Sequence, residues 1–462
     1  MINNLSCDLA VLGGGPGGFD AACEAASLGL SVALVEARDL GGTCLNRGCI
    51  PTKLFLGGTD CAASLSAQSR LRLASGDIAF DLAAMQARKA KLVASTRKAM
   101  SQRLDAAGVA LVRGRGALTS PTELAVVGES DATVVTFKRL VLATGSRPVH
   151  PGIMRPDGQA VLDSDGVLDL AEAPGSMIIV GGGAIGLEMG RILARLGTTI
   201  TVVEALDRLA PGEDPEVSKV LAQAAKRQGW TLRLGARVAS LATVGGKARL
   251  ELEGGEVPGE ILEADKALVA VGRAPASGGL GLDTAGVSVN ERGFVAVDEH
   301  LMASDTVYAV GDVNGRVMLA HTASHQARFA ARHAAGKIDG PYDPPAAPWC
   351  IYGDPETMRV GALADELDAA QGDIAVTRAQ MAANPIAQAS GSPQGLVKVV
   401  WQGGRVRGIM AVGHGASHLV TLAAVAVAQA WTRDDAKQVM WAHPTLDEAL
   451  AEALAAEPEP VS

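Results

Sequence analysis

Aromatic side chains are scarce in this sequence: 3 Tyr, 6 Phe and 5 Trp make up 3% of its 462 residues. That excludes a core built mainly on large rings, so close packing of smaller side chains has to take its place. Cysteine is sparse too. Six of them (Cys7, Cys23, Cys44, Cys49, Cys61 and Cys350) over such a length exclude a disulfide-stapled secreted scaffold. Basic charge is not in excess: 41 Lys and Arg stand against 50 Asp and Glu, a net charge of −9. With no basic stripe, nucleic acid is not an expected partner. Long apolar runs are missing as well. Leu419–Ala430 falls short of the ~20 residues a membrane span needs, so no membrane partner is expected. Met1–Cys7 has no basic n-region and leads straight into a strand, so no signal peptide is expected, and the sequence predicts a cytoplasmic chain. What is abundant is glycine, 55 residues, in a chain that is 48% hydrophobic and therefore not disordered. The length predicts two or three domains.

The chain contains an internal echo. Asp8–Leu12 reads as a strand, followed by Gly13, Gly15, Pro16 and Gly18, a small-residue helix over Ala21–Leu28, and a strand Val32–Val35 ending in Glu36. Met177–Val180 is again a strand. Gly181, Gly183, Ala184, Ile185 and Gly186 follow it, then a helix Leu187–Leu196 and a strand Thr199–Val203 ending in Glu204. Each unit is strand, G-x-G-x-x-G, helix, strand, acid, and in both the acid lies 18 residues after the last glycine. One glycine permits the tight turn, one lets a pyrophosphate reach the backbone at the helix N-terminus, and one lets helix and strand pack closely. The acid accepts from a ribose diol. Two dinucleotides are therefore expected, FAD on one fold and a nicotinamide on the other. Glu204 would repel a 2′-phosphate, and the first arginine after it is Arg208, so NAD is preferred to NADP.

Directly after Glu36 and Ala37 comes Gly41-Gly42-Thr43-Cys44-Leu45-Asn46-Arg47-Gly48-Cys49-Ile50-Pro51-Thr52-Lys53. Pro51 suits the first turn of a helix, which puts Cys49 just before a helix N-terminus, where the dipole favours a thiolate. Beside a dinucleotide fold, this pair reads as a redox disulfide. Two structural thiols, or half a zinc site, are the other readings. No second ligand pair completes four ligands, so no metal is expected. Further on, Pro341–Pro348 reads as a linker, Gly395–Val400 and Arg405–Val412 as adjacent strands, and Leu419–Trp431 as a helix. Four of the five tryptophans follow the linker, and the tail Glu457–Ser462 is expected to fray.

With these motifs, the sequence resembles the pyridine nucleotide–disulfide oxidoreductases over about residues 7–456, and within them the members that oxidise dihydrolipoamide. Further matching motifs are Ala143-Thr144-Gly145-Ser146-Arg147-Pro148, Val271-Gly272-Arg273-Ala274-Pro275, Tyr308-Ala309-Val310-Gly311-Asp312, Leu319-Ala320-His321, and His443-Pro444-Thr445 with Glu448. The resemblance implies an α/β chain of two Rossmann-like dinucleotide-binding domains plus a C-terminal α+β dimerisation domain. The expected boundaries are an FAD domain over 1–147 and 273–345, an NAD domain over 148–272, and a dimerisation domain over 346–462.

The resemblance also implies roles. Cys49 faces the flavin, and Cys44 is the thiol that exchanges with substrate sulfur. His443, oriented by Glu448, is the acid–base for Cys44 of the other subunit, which makes a homodimer part of the active site. Lys53 lies near the flavin and pairs with Glu188. Asp312 after Gly311 holds the ribityl chain, and Gly116 touches the adenine. Gly42, Thr43, Thr144, Gly145, Ser146, Val238, Gly272, Arg273, Met318, Leu319, Ala320 and His321 are the remaining expected cofactor contacts. Read without the resemblance, Lys53 could be a solvated lysine, and Asp312 and His443 could be helix caps. The implied substrate is dihydrolipoamide or a lipoyl-carrying protein.

Related types fit less well. Glutathione-type reductases usually prefer NADP, against Glu204. Mercuric reductases carry a C-terminal cysteine pair, and no cysteine follows Cys350 here. Coenzyme A disulfide types use one active cysteine. A non-catalytic FAD-binding scaffold would not need the full catalytic set. The chain departs from the family at Ser324-His325-Gln326-Ala327, at His418, and over Ala379–Ser390. These departures bear on substrate and partner more than on the chemistry.

Overall fold

The computed structural model describes residues 2–255 and 257–461. The chain forms two compact units. One comprises the residues up to Lys53, Gln86–Val149 and Gly272–Pro344. The other comprises Leu54–Met85, His150–Val271 and the chain from Pro345 on.

The first unit is built on a sheet in which Ala110–Arg113, Val32–Glu36, Ile2–Leu12 and Ala132–Leu142 run parallel, and Val307–Ala309 joins Ala132–Leu142 in parallel. Glu123–Val127 and Arg115–Ser120 extend it antiparallel. Leu9, Ala10 and Val11 are fully buried, as expected for a central parallel strand covered on both faces. Helix Pro16–Ser27 packs against helix Ala320–Ala334 through alanines: Ala21, Ala22 and Ala25 on one, Ala327, Ala330 and Ala331 on the other, all 0% exposed. This is how the unit does without many aromatics. Methyl-sized knobs bring two helix backbones together where large rings would hold them apart.

The second unit holds three sheets. Thr231–Leu234, Thr199–Glu204, Ser176–Val180, Lys266–Val269 and Val161–Leu162 are parallel neighbours in that order. Ala236–Val244, Lys247–Gly254 and Ile261–Ala264 form an antiparallel meander. A six-stranded antiparallel sheet runs Trp349–Ile351, Glu356–Gly361, Arg405–Gly413, Leu396–Gln402, Ile374–Gln380, Glu459–Pro460, and helices Val420–Ala428 and Asp447–Ala455 share its core. Within that sheet Leu396–Gln402 is buried along its whole length. Its one cation, Lys398, is neutralised by Asp214 at 2.8 Å and Glu216 at 2.7 Å.

Three local expectations are corrected. Cys49 is the first residue of helix Cys49–Arg70 rather than the residue before it, with Pro51 in the first turn. The helix expected over Leu419–Trp431 begins as a 3-10 turn, Ala416–Leu419, and ends at Ala428, with Ala430 at φ 47°. The tail, expected to fray over Glu457–Ser462, is bonded over Glu457–Val461, and Ser462 lies outside the described residues. Glu459–Pro460 pairs with Ile374–Gln380, and Glu457 bridges Arg433 at 2.9 Å. Among the described residues, no helix is long and apolar enough to cross a membrane.

Candidate active site

The two glycine loops have the same construction. Gly13 has φ +105°, and a side chain there would meet Ala143 O at 2.5 Å. Gly181 has φ +110°, and its side chain would meet Ala270 O at 2.4 Å. The third glycine of each loop is tighter still: a Cβ on Gly18 would sit 1.7 Å from Gly13 O, and one on Gly186 2.1 Å from Gly181 O. The middle glycines differ from both. A Cβ on Gly15 would find only Gly42 Cα, at 3.8 Å, and one on Gly183 no described atom within 4 Å. The outer glycines are thus required by the fold itself, while the middle ones keep space clear in front of a helix. No described side chain caps helix Pro16–Ser27 or helix Ala184–Arg195, so their first N–H groups face that space.

Each acid is tied to its loop. Glu36 accepts from the N–H groups of Gly14 and Arg38, both at 2.6 Å. Glu204 accepts from Gly182 at 2.7 Å and Leu206 at 2.9 Å. Ala37 is exposed just past the first acid, and Arg208 donates to Pro211 O at 3.1 Å.

The cysteine segment sits on the first loop. Gly42, at φ +55°, lies so close that a Cβ would be 2.7 Å from Gly15 Cα. Thr43 and Cys44 follow in the short helix Gly42–Arg47, and Gly48 breaks it from helix Cys49–Arg70. Cys44 is partly buried and Cys49 exposed. The Cys44 thiol is hydrogen-bonded to Cys49, and that contact, reinforced by burial, pushes Cys44 well above the ordinary thiol range, against the nearby Lys53 ammonium.

Around the strand ends, Ser146, Arg273 and Asp312 come together from three distant segments. Arg273 donates through Nε to Ser146 Oγ at 2.7 Å and through Nη2 to Ser146 O at 2.9 Å, and Ser146 donates to Asp312. Arg273 thus spends its guanidinium on holding Ser146. The hydroxyl of Thr144 is buried with no partner among the described residues. Gly145 and Gly272 take positive φ, 72° and 128°. Gly116 lies against Leu12 and Val35. Met318 is exposed, Leu319 precedes helix Ala320–Ala334, and Ala320 and His321 form its first turn. The side chain of Val238 is buried in the apolar core, so only its backbone can serve a ligand. Glu188 is buried and accepts from Tyr352 N–H at 3.1 Å.

His443 is 74% exposed, and its Nδ1 lies 2.9 Å from Glu448 Oε1. Glu448 also accepts from Thr445 N–H at 3.0 Å, and these two partners, His443 first, hold its carboxyl below the usual range. With Nδ1 engaged, Nε2 is left to exchange a proton. His443 does not cap helix Asp447–Ala455, whose cap position is Leu446.

The profile of the pyridine nucleotide-disulphide oxidoreductases matches residues 7–327, and that of their dimerisation domain residues 347–454. The chain belongs to the pyridine nucleotide-disulphide oxidoreductase family. It is 38% identical over 453 residues to a dihydrolipoyl dehydrogenase of Chlorobaculum parvum, covering 96% of each chain. Among solved structures it is similar to LpdA from Mycobacterium tuberculosis (TM-score 0.88, 27% identity, 98% of this chain and 99% of that one). It is also similar to a Cu(II) complex of the HOCl-induced flavoprotein disulfide reductase RclA from Escherichia coli (TM-score 0.86, 25% identity, 97% and 99% covered).

The family uses FAD and NAD as cofactors. The residues present fit them: two uncapped helix N-termini, each behind a middle glycine that keeps space clear, and an unpartnered Thr144 hydroxyl at the first site.

Three residues escaped the sequence reading as contributors to the site. Gln326, one of the departures, is buried and accepts from Gly311 N–H at 2.7 Å and Asn314 Nδ2 at 2.9 Å, so it braces the turn that carries Asp312. Asn384, inside the atypical stretch Ala379–Ser390, caps helix Pro385–Ala389 and donates to Thr445 O at 2.8 Å, bracing the loop behind His443. Arg97 donates to Asn46, between the two cysteines, at 2.6 Å. An N-cap asparagine just before Pro385 was the only local signal among them.

Proposed function

We propose that this chain is a dihydrolipoyl dehydrogenase: it oxidises a dihydrolipoyl dithiol, free or carried on a protein, through a Cys44–Cys49 disulfide and FAD, and reduces NAD. The observation that carries the reading is the cysteine pair, hydrogen-bonded to each other in a segment that packs against the first glycine loop. The relatives' name over 96% of the chain supports the substrate.

In the oxidised enzyme one substrate thiolate attacks Cys44 Sγ and Cys49 leaves as a thiolate. The second substrate sulfur then attacks the first, the lipoyl ring closes, and Cys44 is released. Two electrons and two protons have moved from substrate to enzyme. His443 Nε2 takes the proton from the attacking thiol, and Glu448 keeps the imidazole in the orientation that allows it. Bound FAD supplies the two-electron relay from the dithiol to the nicotinamide. Lys53 lowers the cost of negative charge at the pair. The middle-glycine spaces and Glu36 and Glu204 hold the two dinucleotides, and Thr144, Ser146 and Asp312 line the flavin side.

In this reading FAD occupies residues 1–147 and 273–345, NAD residues 148–272, and residues 346–462 form a homodimer in which the exposed His443 serves the partner's Cys44. A chain with few, scattered cysteines suits the cytoplasm. Initial rates with dihydrolipoamide and NAD, set against glutathione disulfide and NADPH, test the reading. Faster turnover of the second pair would overturn it.

A further inference from the structure

Between the two cysteines stands Asn46, whose side chain is fully committed. Its Nδ2 donates to Leu40 O at 3.0 Å and to Gly42 O at 2.7 Å, and its Oδ1 accepts from Arg97 Nε at 2.6 Å. The amide orientation is fixed by these partners, since two carbonyls need a donor and a guanidinium needs an acceptor. Arg97 comes from helix Leu82–Ala106, remote in sequence, and its Nη2 pairs with Asp39 Oδ2 at 3.0 Å. That ion pair is 37% and 46% exposed, so it contributes little stability by itself. What it does is aim the guanidinium at Asn46.

Leu40 and Gly42 are where the chain turns from the Val32–Glu36 strand into the short helix bearing Cys44, and Gly41 and Gly42 both have positive φ there. Glycine-rich backbone of this kind has little stiffness of its own. The hydrogen bonds from Asn46 supply it, and Arg97 keeps Asn46 from turning away.

We infer that Asp39, Arg97 and Asn46 form a clamp that sets how readily Cys44 and Cys49 close into a disulfide, and so tunes the redox poise of the pair. Asn46 and Arg97 are positioning residues, because neither touches a reacting atom through the contacts above. The inference rests on the redox role given to the pair under Proposed function.

The test is the ring-closure equilibrium. FAD-loaded wild type, Asn46→Asp, Arg97→Ala, Arg97→Lys and the Asn46→Asp/Arg97→Ala double variant are equilibrated anaerobically in glutathione buffers, acid-quenched and alkylated. Peptide mass spectrometry then separates Cys44–Cys49 from the other four cysteines. The balance is two enzyme thiols plus glutathione disulfide giving the enzyme disulfide plus two glutathiones. Asn46→Asp keeps the shape but turns an acceptor toward two carbonyls, and Arg97→Ala truncates a half-exposed side chain. Each lowers the closure constant about tenfold, or about 30 mV. The double variant falls no further than the singles, and Arg97→Lys lies between wild type and Arg97→Ala. Variants that bind FAD and close within twofold of wild type overturn the clamp, whether or not their melting temperature falls. So does a double variant that falls by the product of the singles. A wild-type pair that never closes reversibly removes the redox reading itself, and the clamp with it.

Discussion

The two dinucleotide loops obey one backbone rule but differ in what stands in front of them. At the first loop, the missing side chain of Gly15 faces Gly42 of the cysteine segment, and Gly17 lies where a Cβ would be 3.4 Å from Ala323. At the second, Gly183 faces no described atom within 4 Å, and the close contact comes further along its helix, where a Cβ on Gly190 would be 2.5 Å from the Trp230 ring. In front of the first loop another segment of the same chain lies at van der Waals distance; in front of the second no described atom does. Under the proposed assignment the first loop holds FAD, which stays, and the second NAD, which comes and goes each cycle, although the fingerprints read alike.

The comparison can be broken at several strengths. The largest effect comes from Cys44→Ser: dithiol oxidation falls below detection in a stopped-flow assay, while NADH still reduces the flavin, so the two halves separate. His443→Gln comes next, with dithiol turnover falling about 10²–10⁴-fold and anaerobic flavin reduction by NADH keeping its wild-type rate. Smaller, and sharper for the comparison itself, are alanines at the middle glycines. Gly183→Ala raises KM for NAD roughly tenfold, about 1.4 kcal/mol, with flavin content unchanged. Gly15→Ala lowers the flavin-to-protein absorbance ratio and leaves KM for NAD alone. Equal effects of both alanines on both readouts would erase the distinction drawn between the loops.

The fingerprints could be read from sequence because their geometry is local. A turn, a helix start and an acid at fixed spacing need no distant partner; that spacing does not by itself give the bonds that Glu36 and Glu204 accept from Gly14 and Gly182. The meeting of Ser146 with Arg273 and Asp312 depends on contacts between segments more than a hundred residues apart, and no local pattern encodes those. Gln326 read as a departure from a family pattern. In the fold, it is a neutral acceptor for backbone and amide N–H groups, a need invisible until Gly311 and Asn314 lie beside it. Four tryptophans follow the linker, and burial differs among them. Trp401 is 2% exposed in its own core and donates to Thr377 at 2.9 Å, whereas Trp349, Trp431 and Trp441 are half-buried.

The tail expected to fray closes the edge of the six-stranded sheet. Glu459 and Pro460 pair with Val376 and Ala375 at the start of Ile374–Gln380, a strand whose bare backbone would there offer hydrogen bonds to an extended chain. A proline has no N–H to pass on, so the sheet stops there. Two residues thus take up hydrogen-bonding groups at one end of this border that an extended chain could otherwise pair with edge to edge.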